Sequence, residues 1–175
     1  MPFTAEELSS LARCPLFQGV AEHLVEKIAQ EAVSLPFSLG EVIYSPRKFR
    51  RCLGILLSGQ LQVTKGSLTV NILEPGELFG AAALYSDAPE FITTITARRP
   101  GRCLLLEQGL VDRLLEEEPL LRRNYLCYLT GRVRFLSGRL QSLSQNGTEG
   151  KLVRYLLTNG QSGSFTCSAS SDTNT

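Results

Sequence analysis

Between Val33 and Glu107 the sequence never sustains a helical period, and that constrains the fold more than any other feature. Short β-type runs follow one another: Glu41 to Tyr44, Leu53 to Leu57, Gln60 to Thr64, Leu68 to Leu73, Ile92 to Ala97 and Arg102 to Leu106. Turn chemistry separates them at Leu39-Gly40, Ser58-Gly59, Lys65-Gly66, Pro75-Gly76 and Pro100-Gly101. A chain that reverses this often, with strands this short, closes as a sandwich or barrel.

Helical patterns flank the β region. Thr4 followed by Glu7 is a capping box, with Leu8 and Leu11 giving an apolar face behind it, and Leu24, Val25, Ile28 and Ala29 mark a second short helix. After Glu107, Leu110, Val111, Leu114 and Leu115 resume helical spacing, and Pro119 opens a longer segment. Within it Leu126, Leu129, Val133, Leu136, Leu140 and Leu143 recur at alternating intervals of three and four, an a/d seam. Such a narrow stripe predicts pairing with a second copy; the alternative is that it packs on the chain's own barrel. Residues 161–175 hold five Ser, three Thr and one charge without periodicity, as a flexible tail does.

Composition excludes several classes. In 175 residues there is one histidine, His23, so a site built from two or more imidazoles of one chain is ruled out. Cys14, Cys52, Cys103, Cys127 and Cys167 are odd in number and widely spaced, which reads as reduced structural thiols and not as a disulfide framework or zinc knuckle. Cys14 alone cannot hold an iron–sulfur cluster, and His23, beside Glu22 on a helix, reads as exposed. Neither a nucleophile triad order, nor a phosphate-binding loop with its lysine, nor a dinucleotide glycine fingerprint occurs. No cofactor, no metal and no enzyme activity are therefore expected. No run reaches the roughly 20 apolar residues of a spanning helix, and the start MPFTAEEL lacks a signal-peptide pattern, so a soluble cytoplasmic protein is expected. The net charge of +1 hides an asymmetry: residues 1–119 carry 11 Lys/Arg against 15 Asp/Glu, and residues 120–175 carry 7 against 2. The stretch PRKFRRC at 46–52 places four cations around Phe49; it is a solvated turn or a patch for an anionic partner.

Five segments taken together carry a family likeness: CPLFQGV at 14–20, GEVIYSP at 40–46, LGILLSGQLQVTK at 53–65, EPGELFGAAALYSDAP at 74–89, and the run from Asp112 to Leu143. In their order they resemble the cyclic-AMP receptor protein and fumarate-nitrate regulator (CRP/FNR) family of bacterial transcription regulators. The resemblance implies an α+β, mainly β fold: a cyclic-nucleotide-binding-like β-roll (jelly roll) with short N-terminal helices and a long C-terminal dimerisation helix. The corresponding layout is an effector-sensing roll over 1–118, a dimerisation helix over 119–146, and the start of a DNA-binding domain over 147–175.

Two departures from the family pattern matter. In cyclic-nucleotide binders of the family, a glutamate directly follows the glycine at Gly80 and an arginine lies ten residues further on. Here Ala81 and Phe91 stand there. Each lost charge-assisted hydrogen bond is worth about 1.5–3 kcal/mol, together two to four powers of ten in affinity. An apolar or weakly polar effector, or none, is expected instead. Pocket walls would come from Leu78, Phe79, Gly80, Ala81, Ala82, Phe91 and Thr93, faced by Arg132 and Ser137, where the family's effector contacts lie. The second departure is at the end. EGKLVRYLLTNG at 149–160 resembles the first helix of the family's winged helix-turn-helix, and the fifteen residues after it carry no recognition helix. The sequence thus reads as a homodimeric effector-sensing module of a CRP/FNR-type regulator cut short, touching DNA only through a helix-turn-helix missing from this chain. Its rival is a ligand-free interaction module that pairs through the same seam.

Overall fold

The computed structural model describes residues 3–145, of which 139–145 are described by their helix alone. Helix α1 (Ala5–Arg13) starts with the expected capping box: the Glu7 amide donates to the Thr4 hydroxyl at 3.3 Å, and the Thr4 amide donates to the Glu7 carboxylate at 2.9 Å. Leu11 is buried on its inner face, whereas Leu8 is exposed, because Glu7 and Ser10 share that face with Leu11. A short 3₁₀ turn at Pro15–Phe17 leads to α2 (Glu22–Glu31), which buries Val25, Ile28 and Ala29.

Six antiparallel strands follow: β1 (Val33–Phe37), β2 (Val42–Tyr44), β3 (Cys52–Lys65), β4 (Leu68–Leu73), β5 (Leu78–Phe79) and β6 (Thr94–Glu107), with α3 (Ala81–Leu84) after β5. The sheet runs β1-β6-β3-β4, with β2 also on β6 and β5 also on β3. Helix α4 (Gln108–Glu117) and then α5 (Pro119–Gln145) close the described chain. Two compact units result: residues 1–129, which include the first turns of α5, and residues 130–175. The α+β, mainly β roll with a long final helix is the architecture that the sequence implied. Residues 146–175, including the expected start of a DNA-binding domain, lie outside the described residues.

The expected turns at Ser58-Gly59 and Pro100-Gly101 do not reverse the chain. They face each other as register shifts in two long strands, β3 and β6, which replace four expected short ones. A Cβ at Gly101 would stand 2.1 Å from the Ser58 carbonyl oxygen, and Gly59 holds φ +82° beside the Pro100 carbonyl. Bulge and turn need the same residue for the same steric reason, so the local sequence does not separate them. The turns at Gly40, Gly66 and Gly76 do reverse the chain between elements, all with positive φ.

Strands β3 and β6 are covered on both faces, which explains the unbroken apolar runs CLGILL and CLLL. Leu53, Ile55, Leu57, Leu104 and Leu106 face the helices, with Leu11, Ile28, Val111, Leu121 and Tyr125. Cys52, Leu56, Leu61, Ile95, Ala97, Cys103 and Leu105 face the other way, with Phe37, Tyr44, Phe79 and Phe91. Glu7, buried on α1, takes two hydrogen bonds from Arg102 on β6, one of them from Nε at 2.7 Å, and so fastens the first helix to the sheet.

Candidate functional site

The segment from Glu74 to Leu84 builds the centre of the site. The Gly76 amide donates to the Leu56 carbonyl at 2.7 Å and sets β5 against β3, with Leu78 opposite Ile55 and Phe79 opposite Gly54. Alternation along β5 then sends Leu78 to the helix-side core and Phe79 into the roll interior. Phe79 lies so close on Gly54 that a Cβ there would be 2.2 Å from the ring, so only glycine fits. At Gly80, φ +79° turns the chain into α3 with the Cys52 carbonyl 2.5 Å from where a Cβ would sit. Beyond it Ala83 points into the roll and Leu84 to the helices, Ala81 is half-buried on the helix side and Ala82 is exposed.

Phe91 is buried inside the roll. Its amide donates to the Pro46 carbonyl at 3.0 Å, and its ring stacks on Phe49 at 5.7 Å and meets Tyr44 edge-on at 5.3 Å. Tyr44 in turn meets Phe79 edge-on at 5.8 Å. Four rings thus fill the ground where the resemblance puts an anion-binding arginine. Thr93 is half-buried beside them in sequence. Of the expected walls, the structure brings Phe79 and Phe91 together; Leu78 lies in the other core and Ala82 faces out.

Sequence reasoning did not pick out Tyr44, and it singled out Phe49 only as the aromatic of a basic turn. The signal was there: two aromatics bracket Pro46, Arg47 and Lys48, and a ring beside so polar a turn needs a wall to lie on. Tyr44 is 1% exposed, and among the described residues its hydroxyl is the buried side-chain oxygen or nitrogen with no hydrogen-bond partner. Burial pushes it well above the ordinary tyrosine range, with the thiols Cys52 and Cys103 adding to the rise and Arg50 opposing it. It is therefore a protonated donor at any physiological pH, without an acceptor.

The other expected participants each have surroundings of their own. On the later part of α5 the Arg132 guanidinium lies over the Phe135 ring at 5.0 Å, and Ser137 is exposed. Earlier on α5, Leu121 and Tyr125 are buried, Asn124 donates to the Leu16 and Gln18 carbonyls at 3.0 and 2.8 Å, and the Tyr128 hydroxyl donates to the Leu78 carbonyl at 3.1 Å. Of the heptad positions, Leu126, Val133 and Leu136 are exposed, Leu129 is half-buried against the helix-side core, and the side chains of Leu140 and Leu143 lie outside the described residues. Arg47, Lys48, Arg50 and Arg51 are all exposed around half-buried Phe49. His23 is exposed; Cys14 is buried, and burial pushes its thiol up to about 12. Among the described residues no group of three or more His, Cys, Asp or Glu could hold a metal, and no helix is long and apolar enough to cross a membrane.

Residues 35–118 match the family described as cyclic nucleotide-binding domain. Over those residues the chain is similar to this domain family. It is 22% identical over 154 residues to a CRP-like cAMP-activated global transcriptional regulator of Mycobacterium tuberculosis, covering 84% of this chain and 67% of that one. Over 111 residues it is 33% identical to a cGMP-dependent protein kinase of Eimeria tenella, covering 63% of this chain and 11% of the kinase. The crystal structure of Thermus thermophilus catabolite activator protein superposes with a TM-score of 0.65 at 27% identity, over 74% of this chain and 63% of that one. The chain thus spans about a tenth of the kinase and about two thirds of the regulators.

Proposed function

We propose that the chain is the effector-sensing and dimerisation module of a bacterial CRP/FNR-type regulator that takes no cyclic nucleotide. The observation that carries this reading is Phe91: a position where a cyclic phosphate would require a cation holds a buried ring clamped between Phe49 and Tyr44. Ala81, half-buried on the helix side, offers no carboxylate for a ribose hydroxyl. The effector would be apolar or weakly polar. Its pocket draws on Phe79, Gly80, Phe91 and Thr93, with Ala81, Ala82 and Leu78 at the margins.

Pairing would run along Leu126, Leu129, Val133, Leu136, Leu140 and Leu143, supported by the 3.5-residue spacing and by the exposure of Val133 and Leu136. An effector that favours one arrangement of the paired helices would shift their population, and the helices would carry the change to a DNA-binding domain. DNA contact belongs in this reading to a helix-turn-helix and not to the roll. The layout is a sensing roll over 1–118, a pairing helix over 119–146 and the start of a DNA-binding domain over 147–175. The module works in the cytoplasm and catalyses nothing.

The filled roll also suits a second reading, a ligand-free module that pairs without sensing. A thermal-shift screen against a metabolite panel separates the two. The sensor reading predicts a concentration-dependent rise with at least one uncharged compound and none with cyclic AMP or cyclic GMP. No rise with any compound favours the ligand-free module.

A further inference from the structure

Among the described residues the Tyr44 hydroxyl is the buried side-chain oxygen or nitrogen without a hydrogen-bond partner, and it lies in the roll interior. Its ring is fixed by Phe79 on β5 and by its own strand β2, and the thiols of Cys52 on β3 and Cys103 on β6 line the same core. All of these walls belong to strands. The remaining cover does not: Phe49 sits on the loop between β2 and β3, and Phe91 on the irregular stretch between α3 and β6. The two loops hold each other through the Phe91–Pro46 backbone hydrogen bond and the ring stack. Half-buried Phe49 is the outer ring of the pair and Phe91 the inner.

A buried donor without an acceptor is costly, and natural cores seldom keep one unless something else satisfies it. Turning the Phe91 ring outward with its loop would leave a hollow the size of a benzene ring. Its walls would be apolar, with a single hydroxyl donor. A charged molecule would lose its hydration among apolar walls, and Arg47, Lys48, Arg50 and Arg51, all exposed to water, would offset that loss only in part. An uncharged ring with one acceptor would lose nothing of the kind.

We propose that Tyr44 is the polar anchor of a site inside the roll that takes a small, uncharged aromatic molecule bearing one hydrogen-bond acceptor, in the place filled by Phe91. This rests on the reading of the roll as an effector sensor and names the class of effector. The Tyr44 hydroxyl donates to the acceptor, Phe79 meets the ring, and Phe91 with Phe49 forms the displaceable cover. Coupling to the cover is built in, because displacing Phe91 strains the Pro46 contact and hence the whole loop from Ser45 to Arg51.

The test is calorimetric titration of the full chain with acetophenone and with ethylbenzene, which differ by a carbonyl against a methylene at the same position. The wild type should bind acetophenone about tenfold more tightly, the worth of one good hydrogen bond. Tyr44→Phe, which removes one oxygen and no packing, should bind the two alike. Phe91→Ala should bind both more tightly, since the ring to be displaced is gone. Absence of saturable binding by the wild type and by Phe91→Ala overturns the site, as does an acetophenone preference that survives in Tyr44→Phe. A metabolite that raises the wild-type melting temperature and binds Tyr44→Phe unchanged would leave the sensor reading standing and remove this site from it.

Discussion

Replacing Arg102 by Met should leave the Glu7 carboxylate buried without its partner. The pair is well formed: Glu7 is 5% exposed, Arg102 Nε donates to one carboxylate oxygen at 2.7 Å, Nη2 donates to the other, and the Arg102 guanidinium also lies over the Phe3 ring at 5.4 Å. Removing one member of such a pair costs about 3–5 kcal/mol, because the other charge keeps its desolvation and loses its compensation. For a protein of this size that is a fall in Tm of roughly 6–20 °C. The pH dependence has a definite sign. Burial raises the affinity of Glu7 for a proton, but the Arg102 hydrogen bonds and charge and the Thr4 amide outweigh it, so its folded pKa lies below the ordinary 4.5. Ionised Glu7 therefore contributes stability that is fully present above about pH 4.5 and is lost as pH falls through the lowered folded value. In Arg102→Met burial, the largest influence, is opposed by the Thr4 hydrogen bonds alone, so the folded pKa rises relative to the wild type. The gap between wild type and variant should then be widest near neutrality and close as the medium is acidified. Urea unfolding at pH 7, 5 and 4 measures it. A loss below about 1 kcal/mol at pH 7, or a gap that stays constant down to pH 4, would refute the claim that this pair fastens α1 to β6.

Three further outcomes are expected. Gly101→Ala puts a methyl group 2.1 Å from the Ser58 carbonyl oxygen, so the two strands must separate locally, at a cost of about 1–3 kcal/mol; an unchanged urea midpoint would contradict the reading of this pair of glycines as facing bulges. Leu136→Glu places a charge in the heptad seam and should convert a dimer into monomers by sedimentation equilibrium; an unchanged mass distribution argues against the seam. Iodoacetamide at pH 8, followed by peptide mapping, should modify exposed Cys127 and spare Cys14 and Cys103 until the chain is unfolded, since both are fully buried and burial pushes each thiol up to about 12; rapid labelling of Cys14 would mean that the helix-side core opens easily.

The legible part of this fold was local. A capping box spans four residues, Lys65-Gly66 and Pro75-Gly76 carry their own turn geometry, and an apolar period over Pro119 to Gln145 shows in the sequence without a partner. What stayed hidden depends on residues far apart in the chain. Ser58-Gly59 and Pro100-Gly101 have turn chemistry, and only their pairing, 44 positions away at Arg102 and Ser58, makes them bulges. Strand β5 is two residues long and exists because β3 offers an edge to it. Glu7 and Arg102 are 95 positions apart. In the site, Phe91 was singled out for the charge it lacks, but the direction of its ring follows from Phe49 and Tyr44, whose loops meet only in the folded chain. The same distance effect divides Leu78 from Phe79, neighbours in sequence and on opposite faces of the sheet.

The central claim, that packed aromatic rings have replaced the nucleotide-gripping charges, is tested most directly by calorimetric titration of the wild-type chain with cyclic AMP. With Ala81 and Phe91 removing two to four powers of ten in affinity, no saturable heat is predicted up to micromolar nucleotide. A saturable one-site isotherm in that range would contradict it.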